Sequence, residues 1–166
     1  ILQQKQRAAQ TAGATLPSPA ATEAGSPGVR TQATIFRLDA ARSGYAGGPS
    51  PLRLAPLWSF ATENAMQMSS PLVAGGAVYG ASCVLDPPSN YGAVFCLDAA
   101  TGAKRWLAES AKDPRTGKET EFKGFFSSPA LSADGKYLVI GQGLHVDAAC
   151  DLLCFDAATG ELRWRV

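Results

Sequence analysis

The chain has 166 residues, of which 46% are hydrophobic, and its 15 basic and 14 acidic side chains leave a net charge of +1. Because these charges are scattered singly, no basic surface points to nucleic acid or to an anionic membrane as a partner. No apolar run approaches the roughly 20 residues that cross a bilayer, and no signal-peptide pattern is visible. Seventeen Gly and eleven Pro interrupt the short apolar runs, which favours strands and turns over helices.

Residues 1–33 differ in composition from the rest of the chain. A polar stretch, ILQQKQRAAQ, precedes a region rich in Ala, Thr, Ser, Pro and Gly that lacks a periodic apolar face. This composition predicts a flexible tether. Ile1 and Leu2, followed by Gln, Lys and Arg, fit the exit from a membrane anchor upstream of Ile1. An arbitrary chain boundary explains the same residues equally well.

From residue 34 onward, short β-prone runs alternate with turn residues. Gly75-Gly76 and Asp134-Gly135 have the composition of hairpin turns, in which glycine adopts a positive φ without a steric penalty. We predict a strand at 57–61 and two four-stranded antiparallel meanders, the first with strands at 72–74, 77–83, 93–97 and 105–108, and the second with strands at 129–131, 137–141, 152–155 and 162–166.

One phrase occurs twice, as CLDAATGAKRW at 96–106 and as CFDAATGELRW at 154–164, an offset of 58 residues. Ser-Ser-Pro recurs with the same offset, at 69–71 and 127–129. A fixed period of this length is typical of a propeller or a solenoid. We therefore predict an all-β repeat fold with blade units at about 57–108 and 125–166.

Each copy of the phrase predicts the same structural roles. The aspartate accepts hydrogen bonds from amides two or three residues on, and the glycine of the Thr-Gly turn takes the left-handed conformation. The tryptophan is expected to be buried between neighbouring blades with its indole N–H on a backbone carbonyl; stacking on a cofactor is a less favoured role. These docking residues are Asp98, Thr101, Gly102, Trp106, Asp156, Thr159, Gly160 and Trp164, with Trp58 as the first tryptophan of the series.

The phrase resembles the tryptophan-docking motif of PQQ-like β-propeller repeats, found in quinoprotein alcohol dehydrogenases and in BamB-like outer-membrane assembly propellers. Cys96 and Cys154 replace the usual alanine, and IFRLDAARSGYAGG followed by LAPLWSF is similar to the leader of such chains. The resemblance covers about residues 34–166 and implies a partial PQQ-like propeller. Since a ring needs about four to eight blades, two units predict an incomplete or truncated ring, and we expect the protein to continue past Val166.

The resemblance to dehydrogenases stops at the catalytic residues. A quinoprotein dehydrogenase is expected to have an adjacent Cys-Cys pair, calcium ligands from Glu and Asn, and an Asp base, and none is identifiable in this chain. We therefore assign no catalytic, cofactor-binding or metal-binding residues. PQQ and calcium are expected only if further blades supply the site.

The four cysteines stand at 83, 96, 150 and 154, without a neighbouring pair or a haem-attachment motif. Cys150 and Cys154 with His145 could suggest a metal site, but three soft ligands on a strand-rich scaffold make this the weaker interpretation. If a disulfide forms, we expect it to join Cys83 to Cys150, with Cys83 to Cys96 as the competing pair. Cys96 and Cys154 are then buried free thiols.

The two most irregular loops, ASCVLDPPSNYG at 81–92 and GQGLHVDAACD at 141–151, join the same pair of strands in successive blades. They are therefore expected to emerge on one face, where repeat proteins commonly carry function. The candidate contact residues are Asn90, Tyr91, His145 and Asp147. For His145, a role in the turn or in packing is the alternative.

Three functions fit these observations. The favoured one is a non-catalytic, extracytoplasmic (periplasmic) propeller, tethered to a membrane, that serves as a protein-interaction or assembly scaffold; its partners would be other subunits or further blades. The alternatives are the N-terminal part of a PQQ-dependent quinoprotein dehydrogenase and a sensor domain of a membrane-tethered signalling protein. Fold alone does not choose among them.

Overall fold

A computed structural model describes residues 35–37, 41–44, 55–62, 65–86, 89–144, 147 and 150–166. The predicted tether at 1–33, most of the leader segment and His145 lie outside the described residues. Within the described residues, no helix is long and apolar enough to span a membrane. The strands are β1 (Leu72–Ala74), β2 (Ala77–Ala81), β3 (Val84–Asp86), β4 (Ser89–Tyr91), β5 (Val94–Asp98), β6 (Lys104–Ala108), β7 (Ser110–Lys112), β8 (Glu119–Glu121), β9 (Ala130–Leu131), β10 (Tyr137–Gly141), β11 (Leu152–Asp156) and β12 (Leu162–Arg165).

Two four-stranded antiparallel sheets carry the fold. Blade 1 has the strand order β1-β2-β5-β6, and blade 2 has the order β9-β10-β11-β12. The turns that join the first two strands of each sheet contain Gly76 and Gly135, each with φ of 72°. The two successive blades confirm the predicted all-β propeller architecture.

The outer strand pair of each blade shares one irregularity. The pairing of β5 with β6 shifts register between Cys96 and Leu97, and that of β11 with β12 shifts between Cys154 and Phe155. A bulge of this kind adds one residue to the outer strand and increases its twist. The repeated phrase therefore encodes the bulge together with the turn.

Two features differ from the predicted strands. Residues 57–61 form no strand, because the described chain has no neighbouring strand for them to pair with. Two unpredicted hairpins also occur: β3–β4 lies between β2 and β5, and β7–β8 lies between the blades. Their three-residue strands are too short and too polar to show an alternating apolar pattern.

The hydrophobic core lies between the two blades. One face of blade 1 contributes Leu72, Tyr79, Ala81, Val94, Cys96 and Trp106, and the facing side of blade 2 contributes Leu131, Leu138, Ile140, Leu153, Phe155 and Leu162. Phe122, from the segment that links the blades, meets Phe125 and Phe155 edge-on at 5.9 and 5.6 Å between ring centroids. The aromatic segment therefore closes one end of the interface between the blades.

The two tryptophans of the repeated phrase differ in burial. Trp106 is 9% exposed and its Nε1 donates to the Ala157 carbonyl of blade 2 at 3.0 Å. Trp164 is 39% exposed, so the prediction that it is buried is wrong. In the described chain no blade follows β12, and the face of blade 2 that carries Trp164 therefore has no sheet against it.

This difference in burial predicts a difference in stability. Trp106→Ala should lower the free energy of unfolding by about 3 to 5 kcal/mol, the usual loss on deleting a buried aromatic side chain. Trp164→Ala is the matched control, because it deletes the same side chain where it is partly exposed, and should cost only about 1 kcal/mol. Urea unfolding followed by circular dichroism measures both, and equal losses would contradict the docked position of Trp106.

Candidate functional site

The turn between β5 and β6 is closed by Asp98. Its Oδ1 accepts hydrogen bonds at 3.0 Å from the amides of Ala100 and Thr101 and from the Thr101 hydroxyl. Its Oδ2 accepts a bond of 2.7 Å from Arg105, which also donates to the Gly76 carbonyl at 2.8 Å. The bond from Arg105 first, and those from Thr101 next, lower the pKa of Asp98 to about 2. The carboxylate is therefore ionised and fully engaged in holding the turn.

The turn between β11 and β12 repeats this arrangement. Asp156 accepts from the amides of Ala158 and Thr159 at 3.0 and 3.1 Å and from Arg163 at 2.9 Å. The Arg163 bond is the chief cause of the lowered pKa of Asp156. The role of the arginine in both turns was not predicted, although an Arg immediately before each Trp of the phrase is the signal that identifies it.

Trp106 docks on the turn of blade 2. Besides donating to the Ala157 carbonyl, its indole lies over Gly160, which has φ of 75°. A Cβ placed on Gly160 would be 2.7 Å from the ring. The turn therefore needs glycine for two reasons, its left-handed conformation and the close approach of the indole.

Trp58 docks on the turn of blade 1 in the same way. Its Nε1 donates to the Ala99 carbonyl at 3.0 Å. A Cβ placed on Gly102, whose φ is 72°, would lie 2.6 Å from the indole. Beside it, the ring of Phe60 packs on Phe95 with centroids 5.0 Å apart. Residues 55–62 thus cover part of the outer face of blade 1, although they form no strand.

Within the part of the chain that the structure describes, no sheet covers the outward side of blade 2. Trp164 pairs with Cys154 across β11 and β12, in the same way that Trp106 pairs with Cys96 in blade 1. Of the apolar side chains around it, Tyr137, Leu152 and Val166 are exposed and Val139 is half-buried. We call this surface the open face; its residues are Tyr137, Val139, Leu152, Trp164 and Val166.

The two irregular loops meet on one side of the blades. Asn90 Nδ2 donates to both carboxylate oxygens of Asp147 at 3.3 Å, and Asn90 Oδ1 accepts from the Gly124 amide at 2.8 Å. The Leu144 amide also donates to Asp147 and is the chief cause of the lowered pKa of this carboxyl. The structure thus brings Asn90 and Asp147 together across 57 residues of sequence. Tyr91 lies beside them and is partly exposed.

A second polar cluster joins the β7–β8 hairpin to blade 2. Arg165 forms an ion pair with Asp151, and its Nε lies 4.0 Å from Asp113 Oδ2. Gln142 donates to Asp151 at 2.8 Å and accepts from the Lys123 amide at 3.1 Å. Asp113 and Gln142 are both buried. No local motif identifies this cluster, because its members come from separate elements.

The cysteines form no disulfide. All four are free thiols, with Cys83 buried and Cys150 exposed, so the expected Cys83 to Cys150 bond is absent from the structure. A Cβ on Gly124 would lie 2.8 Å from Cys83 Cβ, and one on Gly143 would lie 2.7 Å from Cys150 Sγ. The amide of Gly143 donates to the carbonyl of Gly124 at 2.8 Å. The two glycines therefore contact each other, Gly124 beside Cys83 and Gly143 beside Cys150.

The remaining thiols are structural. Cys96 and Cys154 are buried behind the tryptophans with which they pair. Burial raises the pKa of both thiols above the ordinary value, and a protonated thiol is a poor nucleophile and a poor metal ligand. Among the residues that the structure describes, no group of three His, Cys, Asp or Glu side chains could hold a metal ion.

Sheet order and docking contacts together define two successive four-stranded blades of the β-propeller type. The chain matches the quinohemoprotein alcohol dehydrogenase from Comamonas testosteroni with a TM-score of 0.43 and 17% identity, over 84% of this chain and 27% of that chain. It matches a europium-containing methanol dehydrogenase with a TM-score of 0.41 and 17% identity, over 82% of this chain and 32% of that chain.

No family model matches the chain, and no curated protein matches it. The chain spans 27% and 32% of the two dehydrogenase chains, less than a third of either. At 17% identity the likeness concerns the fold and does not assign an activity.

The lowered pKa of Asp98 predicts how stability depends on pH. In the folded chain this pKa is about 2, against an ordinary value of 3.8. The bonds to the ionised carboxylate therefore stabilise the fold in full above about pH 4 and are lost as the pH falls toward 2. Asp98→Asn should lower the melting temperature at neutral pH, and its difference from the parent chain should shrink below about pH 4.

Melting temperatures of both chains between pH 7 and pH 2 test this. Asp86→Asn is the control, since it removes a carboxylate that has no ion pair within the described residues and should change the melting temperature little at any pH. A difference between Asp98→Asn and the parent that stays constant down to pH 2 would contradict the role given to the Asp98 carboxylate.

Proposed function

We propose that this chain is part of a non-catalytic β-propeller outside the cytoplasm, which acts as a protein-interaction or assembly scaffold within a larger protein or complex. The observation that carries the proposal is the loop side of the blades, where Asn90 of the β3–β4 hairpin binds Asp147 of the second loop and the hairpin exposes Leu85. Exposed apolar side chains on rigidly held loops favour contact with another protein. The partners are other protein subunits or further blades.

The polar groups of the two turns support a structural role. The pKa of Asp98 is about 2, and that of Asp156 is also below its ordinary value, because an arginine and backbone amides donate to each carboxylate. A carboxylate whose pKa lies below its ordinary value is a weak base and carries no proton to donate near neutral pH. Both groups therefore stabilise turns and are poorly suited to acid–base catalysis.

The loop side of the blades supplies the contact surface. The β3–β4 hairpin and the loop that carries Asp147 meet through Asn90, which fixes their relative positions. Leu85 and Tyr91 on the hairpin are exposed. Loops held by a rigid sheet are where repeat proteins usually bind their partners, so we assign protein contact to this surface.

The proposed location outside the cytoplasm rests on the resemblance of the repeated phrase to extracytoplasmic propellers. Residues 1–33 would tether the blades to the membrane. Disulfides are typical of proteins outside the cytoplasm. Because all four cysteines are free thiols, no disulfide supports this location.

The dehydrogenase alternative can be tested with the natural protein. Adding PQQ and Ca²⁺ should give no stoichiometric binding in the cofactor's absorbance and no dye reduction with primary alcohols. The reason is that the carboxylates of Asp98, Asp113 and Asp156 are already bound to arginines and amides. Binding with turnover would replace the scaffold proposal by the quinoprotein dehydrogenase.

Contact through the loops can be tested in cells that make the natural protein. A photo-crosslinking amino acid in place of Leu85 should give one discrete adduct with an envelope protein, because this side chain is exposed on the β3–β4 hairpin. The same amino acid in place of Lys136 is the control, since it lies at the other end of the strands, in the turn between β9 and β10. Equal labelling at both positions, or none at Leu85, would count against the proposed loop surface.

A further inference from the structure

A cavity of about 330 Å³ lies between the two blades, at the end of the strands opposite the β3–β4 hairpin. One wall is the end of β1 with the turn that follows it, and the other is the turn between β9 and β10. A Cβ placed on Gly75 or on Gly135 would meet no atom within 4 Å. The two turns therefore do not pack against each other, and the space between them is open.

Hydrogen bonds hold both walls in place. The Ala99 amide donates to the Gly76 carbonyl at 3.0 Å, and the Ala157 amide donates to the Lys136 carbonyl at 2.9 Å, so each wall is joined to the docking turn of its own blade. The indole of Trp106 donates to the Ala157 carbonyl and thereby joins the two blades at this end. The cavity is therefore preformed, and its volume lies at the lower end of the range of small-molecule pockets.

The inner part of the cavity is apolar and contains an aromatic ring. Ala74 and Leu131 line it together with Tyr79, which is 7% exposed. Burial, and next the neighbouring Cys96, raise the pKa of the Tyr79 phenol, so this group is neutral. A thiol is only a weak hydrogen-bond acceptor, and the phenol therefore keeps the capacity to bond to a ligand.

The turn between β9 and β10 brings a negative charge to the same cavity. Asp134 Oδ1 accepts from the Ser132 hydroxyl at 2.6 Å and from the Lys136 amide at 3.1 Å, and these bonds lower the pKa of the carboxyl. Asp134 Oδ2 lies 3.4 Å from Lys136 Nζ, in an ion pair whose side chains are 73% and 50% exposed for Lys136 and Asp134. Because an ion pair this exposed is weak, the ionised carboxylate can bind a second cation.

We propose that this cavity binds a small organic ammonium ion, with the charged group at Asp134 and the apolar chain against Leu131 and the ring of Tyr79. The face of an aromatic ring attracts cations, and hydrogen bonds to a carboxylate are roughly twice as strong when the donor is charged. The guanidinium of Arg105 near the first turn is paired with Asp98 at 2.7 Å, which reduces its repulsion of a cation. This inference does not depend on the scaffold function, since the cavity and the loop surface lie at opposite ends of the strands.

Binding is measured on the natural protein by saturation-transfer-difference NMR, with n-butylammonium as the probe. The signal should saturate with a dissociation constant of about 1 to 10 mM, as expected for a ligand of this size. n-Butanol and n-butyrate have the same chain length but no positive charge, and they should bind more weakly. Absence of saturable binding of n-butylammonium, or equally tight binding of n-butanol, would overturn the proposal.

Two charge variants locate the site. Asp134→Asn keeps the oxygen that accepts from Ser132 but removes the charge, so it should weaken the binding of n-butylammonium about fivefold or more. Asp86→Asn is the matched control at the opposite end of the strands and should bind as the parent does. Lys136→Gln removes the competing ammonium group and should bind at least as tightly as the parent.

Ala133→Leu tests the cavity by its shape, and it replaces Asp134→Asn should that variant not fold. Ala133 lines the cavity and is exposed, so the larger side chain should block the cavity with little effect on the fold, and binding should be lost. A folded Asp134→Asn or Ala133→Leu variant that binds n-butylammonium as tightly as the parent would contradict the assigned site. Weaker binding by Lys136→Gln would do the same.

Discussion

The contact of an indole with the glycine of a neighbouring turn determines how the blades are arranged. The indole needs a flat surface and a carbonyl acceptor, and the turn provides both only because Gly160 has no side chain and is left-handed. The bonds between Asp156, Arg163 and the backbone amides that hold that turn all lie within blade 2. Because the turn is held by its own blade, docking Trp106 on it orders little additional backbone, and most of the burial energy is retained.

Much of the fold could be predicted because its strongest signals are local and repeated. The turns around Asp98 and Asp156 are held by side-chain and amide donors that lie within seven residues of each aspartate, so the phrase itself encodes these turns. The burial of Trp164 could not be predicted, since it depends on a neighbouring sheet and not on the phrase. The strand predicted at 57–61 was wrong for a related reason, because a strand requires a hydrogen-bonded partner elsewhere in the chain.

The candidate contact surface was predicted less completely. Equivalent loops of successive blades leave on the same side, which was enough to place Asn90 and Asp147 together. The disulfide was expected because Cys83 and Cys150 flank equivalent loops on one face, and nothing in the sequence indicated the contact of Gly124 with Gly143 beside these two thiols. Long-range polar contacts such as Arg165 with Asp113 have no periodic signal at all.

The position of Arg165 has a consequence for the mechanical behaviour of β12. A strand at the edge of a sheet is paired on one side only and would ordinarily fray, with rapid exchange of its amide hydrogens. Arg165 at the end of β12 is held by Asp151 of its own blade and lies within ion-pair distance of Asp113 on the inserted hairpin. These ion pairs hold β12 in place at the residue directly after Trp164, so the orientation of this indole is restricted. A restricted side chain loses less conformational entropy when it makes a contact.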